Sequence, residues 1–168
     1  MTEMGEFLLQ AMRKWAAGVA VVTSEYEGDR HGMTVNSFTS ISLEPPLVTV
    51  TLALNTRTHA LVQKAGFFGV TILSEAQQAL SERFAGHSTE QEDRFAGLET
   101  LSLKSGVPFL AGGLANLDCK VIYNYDMSNS TLFIGEVLAV KVNDGQPPLI
   151  YRNRKYYTLC DEHNPPDR

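Results

Sequence analysis

The chain has 168 residues, 43% of them hydrophobic and 20% charged, and a formal net charge of −5. That length and balance predict a single globular domain over residues 1–168 with a real core, and exclude a disordered chain. The acidic balance argues against a general nucleic-acid binder, whose phosphate contacts need a basic surface.

The opening residues, MTEMGEFLLQ, carry two glutamates and no basic leader, which argues against a secretory signal. No uncharged run reaches the roughly 18 residues of a membrane-spanning helix, so no membrane is expected. Cys119 and Cys160 stand apart, neither a disulfide framework nor a CxxC. A cytoplasmic protein with reduced thiols is the expectation.

Met4, Phe7, Leu8, Ala11 and Trp15 share one helical stripe and predict an opening amphipathic helix. GVAVVTSEYEGDRHGMTVNSF reads as two β-rich runs about a Gly28-Asp29 turn. The second run continues into GMTVNSFTSISLEPPLV, where Thr34 to Ser42 carry five hydroxyls, one asparagine and no charge. LVTVTLALN alternates more cleanly. NTRTHALVQKA predicts a short helix capped by Thr56 or Thr58, and FFGVTIL a buried strand. Ser74 and Gln77 form a capping-box pattern ahead of a helix running to Gly86. HSTEQEDRFAGL is charged and reads as a surface loop or a single turn. LANLDCKVIYNYDM and STLFIGEVLAVKVND form a second hairpin about Ser128-Asn129, PLIYRNRKYYTL supplies one or two last strands, and CDEHNPPDR is a polar tail. Six or seven strands with two or three short helices predict a mostly β protein, an antiparallel barrel with helical insertions.

Side-chain catalysts are hard to assemble from this chain. His31, His59, His87 and His163 show no HxxH or HExxH spacing, and no GxSxG elbow or phosphate-binding glycine loop is present. Chemistry therefore points to a cofactor. Uncharged hydroxyls on both faces of the Thr34–Ser42 run suit the edge of a planar heteroaromatic ring. Hydroxyls and Arg57 at a helix start suit an anion, so the two stretches together suit a phosphorylated aromatic cofactor. The same residues also suit a plain barrel strand and a plain helix cap.

MRKWAAGVAVVT, GMTVNSFTSISLEPPLV, FFGVTIL, SERFAG, DRFAGL and STLFIGEVLAV occur in the order found in flavin reductase-like proteins. These are the short-chain reductases that often serve as small components of two-component monooxygenases. The resemblance covers a core of about residues 12–159. It implies a split antiparallel β-barrel of the FMN-binding type, a homodimer, bound FMN or FAD, and NADH or NADPH as hydride donor. The reaction it implies is hydride transfer to flavin N5, with reduced flavin then passing to a separate monooxygenase.

Carried over, the resemblance places Thr34, Val35, Asn36 and Ser37 at the ring edge, and Leu54 and Asn55 by the ring and ribityl chain. Arg57, Thr58 and His59 serve the phosphate, while Phe84, Ala85 and Gly86 close the site. Tyr156, in a loosely matching last strand, is either a dinucleotide contact or a core aromatic. The family's second hairpin usually reads GDHT, with a histidine beside the nicotinamide. Here the stretch is MSNST, and Ser130 takes that place, which predicts weak or unusual NAD(P)H activity unless Arg152 or Tyr156 substitutes. A flavin-binding electron carrier and a barrel without catalytic function remain the alternatives.

Overall fold

Thr2 caps the first helix, α1 (Glu3–Met12), its hydroxyl accepting from the Gly5 amide at 3.2 Å. The computed structural model describes residues 2–86 and 93–159. After α1 come β1 (Ala17–Gly18), β2 (Ala20–Tyr26), β3 (Asp29–Val35), β4 (Thr39–Leu43) and β5 (Pro46–Ala53). Then follow α2 (Arg57–Ala65), β6 (Phe67–Ile72), a 3-10 turn (Glu75–Gln77) and α3 (Gln78–Phe84). The short pair β7 (Thr100–Leu101) and β8 (Phe109–Leu110) precedes the long hairpin β9 (Ala115–Asp126) and β10 (Ser130–Val142). Finally β11 (Ile150–Arg152) and β12 (Lys155–Tyr157) pair with each other, and β1 adds to β11.

Seven strands form one antiparallel sheet in the order β3-β2-β6-β9-β10-β5-β4. Its two edges, β3 and β4, are consecutive in the chain and joined by only Asn36, Ser37 and Phe38. Laid flat, seven strands would hold their edges about 29 Å apart, at about 4.8 Å per spacing. Four Cα steps reach at most about 14 Å. The sheet must therefore curl until its edges approach, while β3 and β4 share no ladder with each other. The result is a barrel with one open seam, as expected of a split barrel.

Inside it lies one core, with Ala20 and Val22 from β2, Val50 and Leu52 from β5, Phe68 from β6 and Phe133 from β10. A second core lies on the outer face, where Val19 and Val21 meet Leu73, Phe84 and Phe95. This explains why GVAVVT shows no alternation. Residues 20–24 of β2 are buried on both faces, one against the barrel interior and one against α3 and the small β1-β11-β12 sheet.

Three expectations need correction. The Thr34–Ser42 run is two strands rather than one: β3 ends at Val35 and β4 starts at Thr39. Thr39 and Ser40 lie exposed on an edge strand, so much of the hydroxyl pattern is ordinary edge polarity. The first hairpin turns at Glu27-Gly28, both at positive φ (52° and 83°), one residue earlier than the sequence suggested. Residues 94–97 form a turn, one of the two forms expected of the charged segment, but it is not a surface feature throughout, because Arg94 and Phe95 are buried. Residues 87–92 of that segment, and the tail from Cys160, lie outside the described residues.

Candidate functional site

At the seam, α3 is drawn down onto the end of β3. Gly32 makes the close approach possible, since a Cβ there would meet the Phe84 ring and the Thr23 methyl at 3.0 Å each. Thr34 Oγ1 donates to the Ser81 carbonyl at 2.6 Å, and Ser81 Oγ lies 2.9 Å from the Tyr156 hydroxyl. Arg94 completes the clamp, its Nη1 donating to the carbonyls of Gly32 and Phe84, each at 3.0 Å.

The clamp frames a cleft of two lobes that share Thr34 and Ala85 as a common wall. One lobe, about 650 Å³, is lined by Val35, Asn36, Ser81 and Glu82, with Tyr151, Arg154 and Tyr156 from the small sheet. The other, about 400 Å³, runs along the start of α2, past Asn55, Thr56, Arg57 and Thr58, with Phe84, Gly86, His31 and Arg94 opposite. The first wall is mostly hydroxyl, amide and aromatic; the second is rich in cations.

Thr56 is the cap of α2, accepting from the His59 amide at 3.3 Å, which decides between the two threonines. Thr58 is fully buried, with its hydroxyl 2.8 Å from His31 Nδ1. Arg57, the first helical residue, pairs with Asp29. Burial, reinforced by the charges of Arg94 and Arg57 and partly offset by Asp29, lowers the His31 pKa to about 4. His31 is thus a neutral imidazole at physiological pH.

Of the residues expected at the site, Thr34, Val35, Asn36, Asn55, Arg57, Thr58, Phe84, Ala85, Gly86 and Tyr156 line the two lobes. Ser37, Leu54, His59 and Ser130 do not. His59 turns away from the cleft. Thr131 donates its single proton to Asp126 at 2.7 Å, so His59 Nε2 must donate to Thr131 at 2.8 Å, and the imidazole leans on Phe133. Ser37 is held at β5 by two bonds to the Thr51 backbone, at 3.1 and 3.2 Å. Leu54 is bound through its amide to Asn129, and Ser130 pairs with Ala53, so both gather where the C-terminal end of β5 meets β10, just before Asn55. His31, Ser81, Arg94 and Arg154 were missed as site residues. Ser81 and Arg94 carried a signal, since they lie in SERFAG and DRFAGL, two segments that resemble the family.

A flavin reductase-like domain model matches residues 12–160. An NADH-dependent flavin reductase of a Rhodococcus species is 36% identical over 148 residues, covering 86% of this chain and 81% of that one. The reductase component of 4-hydroxyphenylacetate 3-monooxygenase from Thermus thermophilus is 33% identical over 156 residues, covering 93% and 97%. Among solved structures, the flavin reductase PheA2 superposes with a TM-score of 0.85 at 35% identity, over 96% of this chain and all of that one. Sequence and fold thus agree over most of the chain, and the chain belongs to the flavin reductase-like family.

Proposed function

We propose that this protein is an NAD(P)H-dependent flavin reductase that binds FMN or FAD with the ring along Thr34–Asn36 and the phosphate at the start of α2. The observation that carries the reading is the junction of the two lobes. An uncharged, hydrogen-bonding strand end and a cationic helix start open into each other across Thr34 and Ala85. The donor set fits such a ligand. Asn36 and the backbone of β3 offer neutral partners for a ring edge, while Arg57 and the first turn of α2 offer charge and free N–H groups.

Bound flavin supplies a two-electron acceptor for the nicotinamide's hydride. The protein's own work is to place and shield the two rings. The Thr34 hydroxyl is committed to the Ser81 carbonyl, so it holds the wall in place and leaves contact with the ring to backbone groups and Asn36. Tyr156, tied to Ser81 and packed edge-on against Tyr151, walls the larger lobe, the one with room for the nicotinamide. Hydride transfer needs no proton from the protein, which suits a cleft whose histidine is buried and neutral.

The Thermus relative's name supports a separate monooxygenase as the receiver of reduced flavin. The apolar residues left uncovered on this chain support a homodimer. The decisive test is NADH or NADPH oxidation with FMN, FAD or no flavin added, together with the visible spectrum of each mixture. Flavin-dependent turnover is expected. A shifted flavin spectrum without turnover would leave an electron carrier, and no spectral change would leave a barrel with another role.

A further inference from the structure

The cation placed to meet the flavin phosphate already has a counter-ion. Arg57 binds Asp29 through Nη2, and the two side chains are 47% and 46% exposed. Asp29 is the first residue of β3, directly after the Glu27-Gly28 turn, so a short hairpin end presents it to the start of α2. No acidic residue stands in the first turn of α2 itself. Asp29 thus supplies from another element the negative charge that a helix start favours. Asp29 and Arg57, with His31 and Arg94, line a hollow of about 240 Å³ that continues the cationic lobe outward.

Resting on the reading that Arg57 faces the flavin phosphate, we infer that Asp29 is a built-in competitor for that phosphate and keeps the flavin loosely held. An arriving phosphate meets a carboxylate already on the guanidinium it needs. It must displace that carboxylate or share the cation with it, and the nearby negative charge opposes it in either case. A reductase that passes its reduced flavin to another protein gains from such a brake, because release is part of each turnover. The pair is exposed enough that the brake is mild.

The test is the affinity of FMN and of riboflavin, which lacks the phosphate, for the full chain and for Asp29→Asn, Arg57→Ala and the double variant. Asp29→Asn should bind FMN about two- to fivefold more tightly, the range of an exposed ion pair, and riboflavin as before. FMN should dissociate more slowly by a similar factor, and added salt should shrink the gain. In the Arg57→Ala background, Asp29→Asn should gain less than in the unmodified chain, because the competition for the guanidinium is gone and only the direct repulsion of the phosphate is left to remove. Asp29→Ser, a second neutral side chain tolerated near turns, should reproduce the tighter binding. Unchanged or weaker FMN binding in both Asp29 variants would overturn the proposal and show the pair to be a brace between hairpin and helix. Equal weakening of FMN and riboflavin by Arg57→Ala would instead remove the phosphate site, and the proposal with it.

Discussion

His31 is a titratable group kept uncharged by its surroundings. Its folded pKa is about 4, below the 6.5 of an ordinary histidine. Between those values the unfolded chain binds a proton that the folded chain resists. Its contribution to stability is therefore whole above about pH 6.5 and is lost as pH falls toward 4. The loss should be on the order of 1–3 kcal/mol. Melting temperatures at pH 7 and pH 5 should show a smaller drop in His31→Gln than in the unmodified chain. Ser130 sets a second expectation. Its hydroxyl reaches Asn129 Oδ1 at 3.3 Å, and nothing in its position replaces an imidazole. Ser130 lies outside both lobes of the cleft. A gain of about two- to tenfold in reduction by NADH from Ser130→His, the worth of one hydrogen bond, is therefore expected only where the bound dinucleotide extends past the lobes to the end of β5. A fall in the Michaelis constant would assign the gain to holding the dinucleotide, and faster single-turnover reduction would assign it to alignment. Rapid flavin reduction by micromolar NADH in the unmodified chain would sink the idea.

Elements pack closest where glycine replaces a side chain. Gly135 lies on β10 at a register shift, and a Cβ there would come within 2.5 Å of the fully buried Phe68 ring and 3.0 Å of Cys119. Gly135→Ala should cost about 1–3 kcal/mol, read as a lower urea midpoint with an unchanged slope. Element type was largely legible because its signals are local. The cap of α2, at the first of the two threonines expected there, and the long β9–β10 hairpin both sit where the sequence pattern predicts them. Less legible was whatever depends on partners far along the chain. Arg94 is buried because it reaches Gly32, 62 residues away, and no periodicity in a charged segment announces that. His59 had the right address, the first turn of α2, but its orientation was decided by Thr131, 72 residues away.

Across the molecule, the exposed apolar side chains among the described residues include those along α1 and on β4 and β10. Met4, Phe7, Leu8, Met12 and Trp15 form an exposed face in and just after α1, with Trp15 at 68%. Leu43 at 83% and Val142 at 70% stand out on β4 and β10. No residue of α1 is buried, although the helix is apolar along one side. Burial against a second copy would remove this surface from water. Light scattering at micromolar concentration should give about twice the 18.5 kDa of one chain. Leu43→Asp or Trp15→Ser should lower that value toward one chain, since a charge or hydroxyl would be desolvated at the contact.

Three residues alone tether the two free edges of the sheet across its seam, and the cleft opens beside that tether. An occupant lying along Thr34–Asn36 would take the place of the neighbouring strand that neither edge has. Barrel closure and occupancy then become one equilibrium, and the backbone reports it. Deuterium uptake at the amides of Asn36 to Phe38 should slow as flavin is added, in proportion to the fraction bound. The amides of Ala115 to Lys120 in β9, flanked by β6 and β10, should exchange at an unchanged rate.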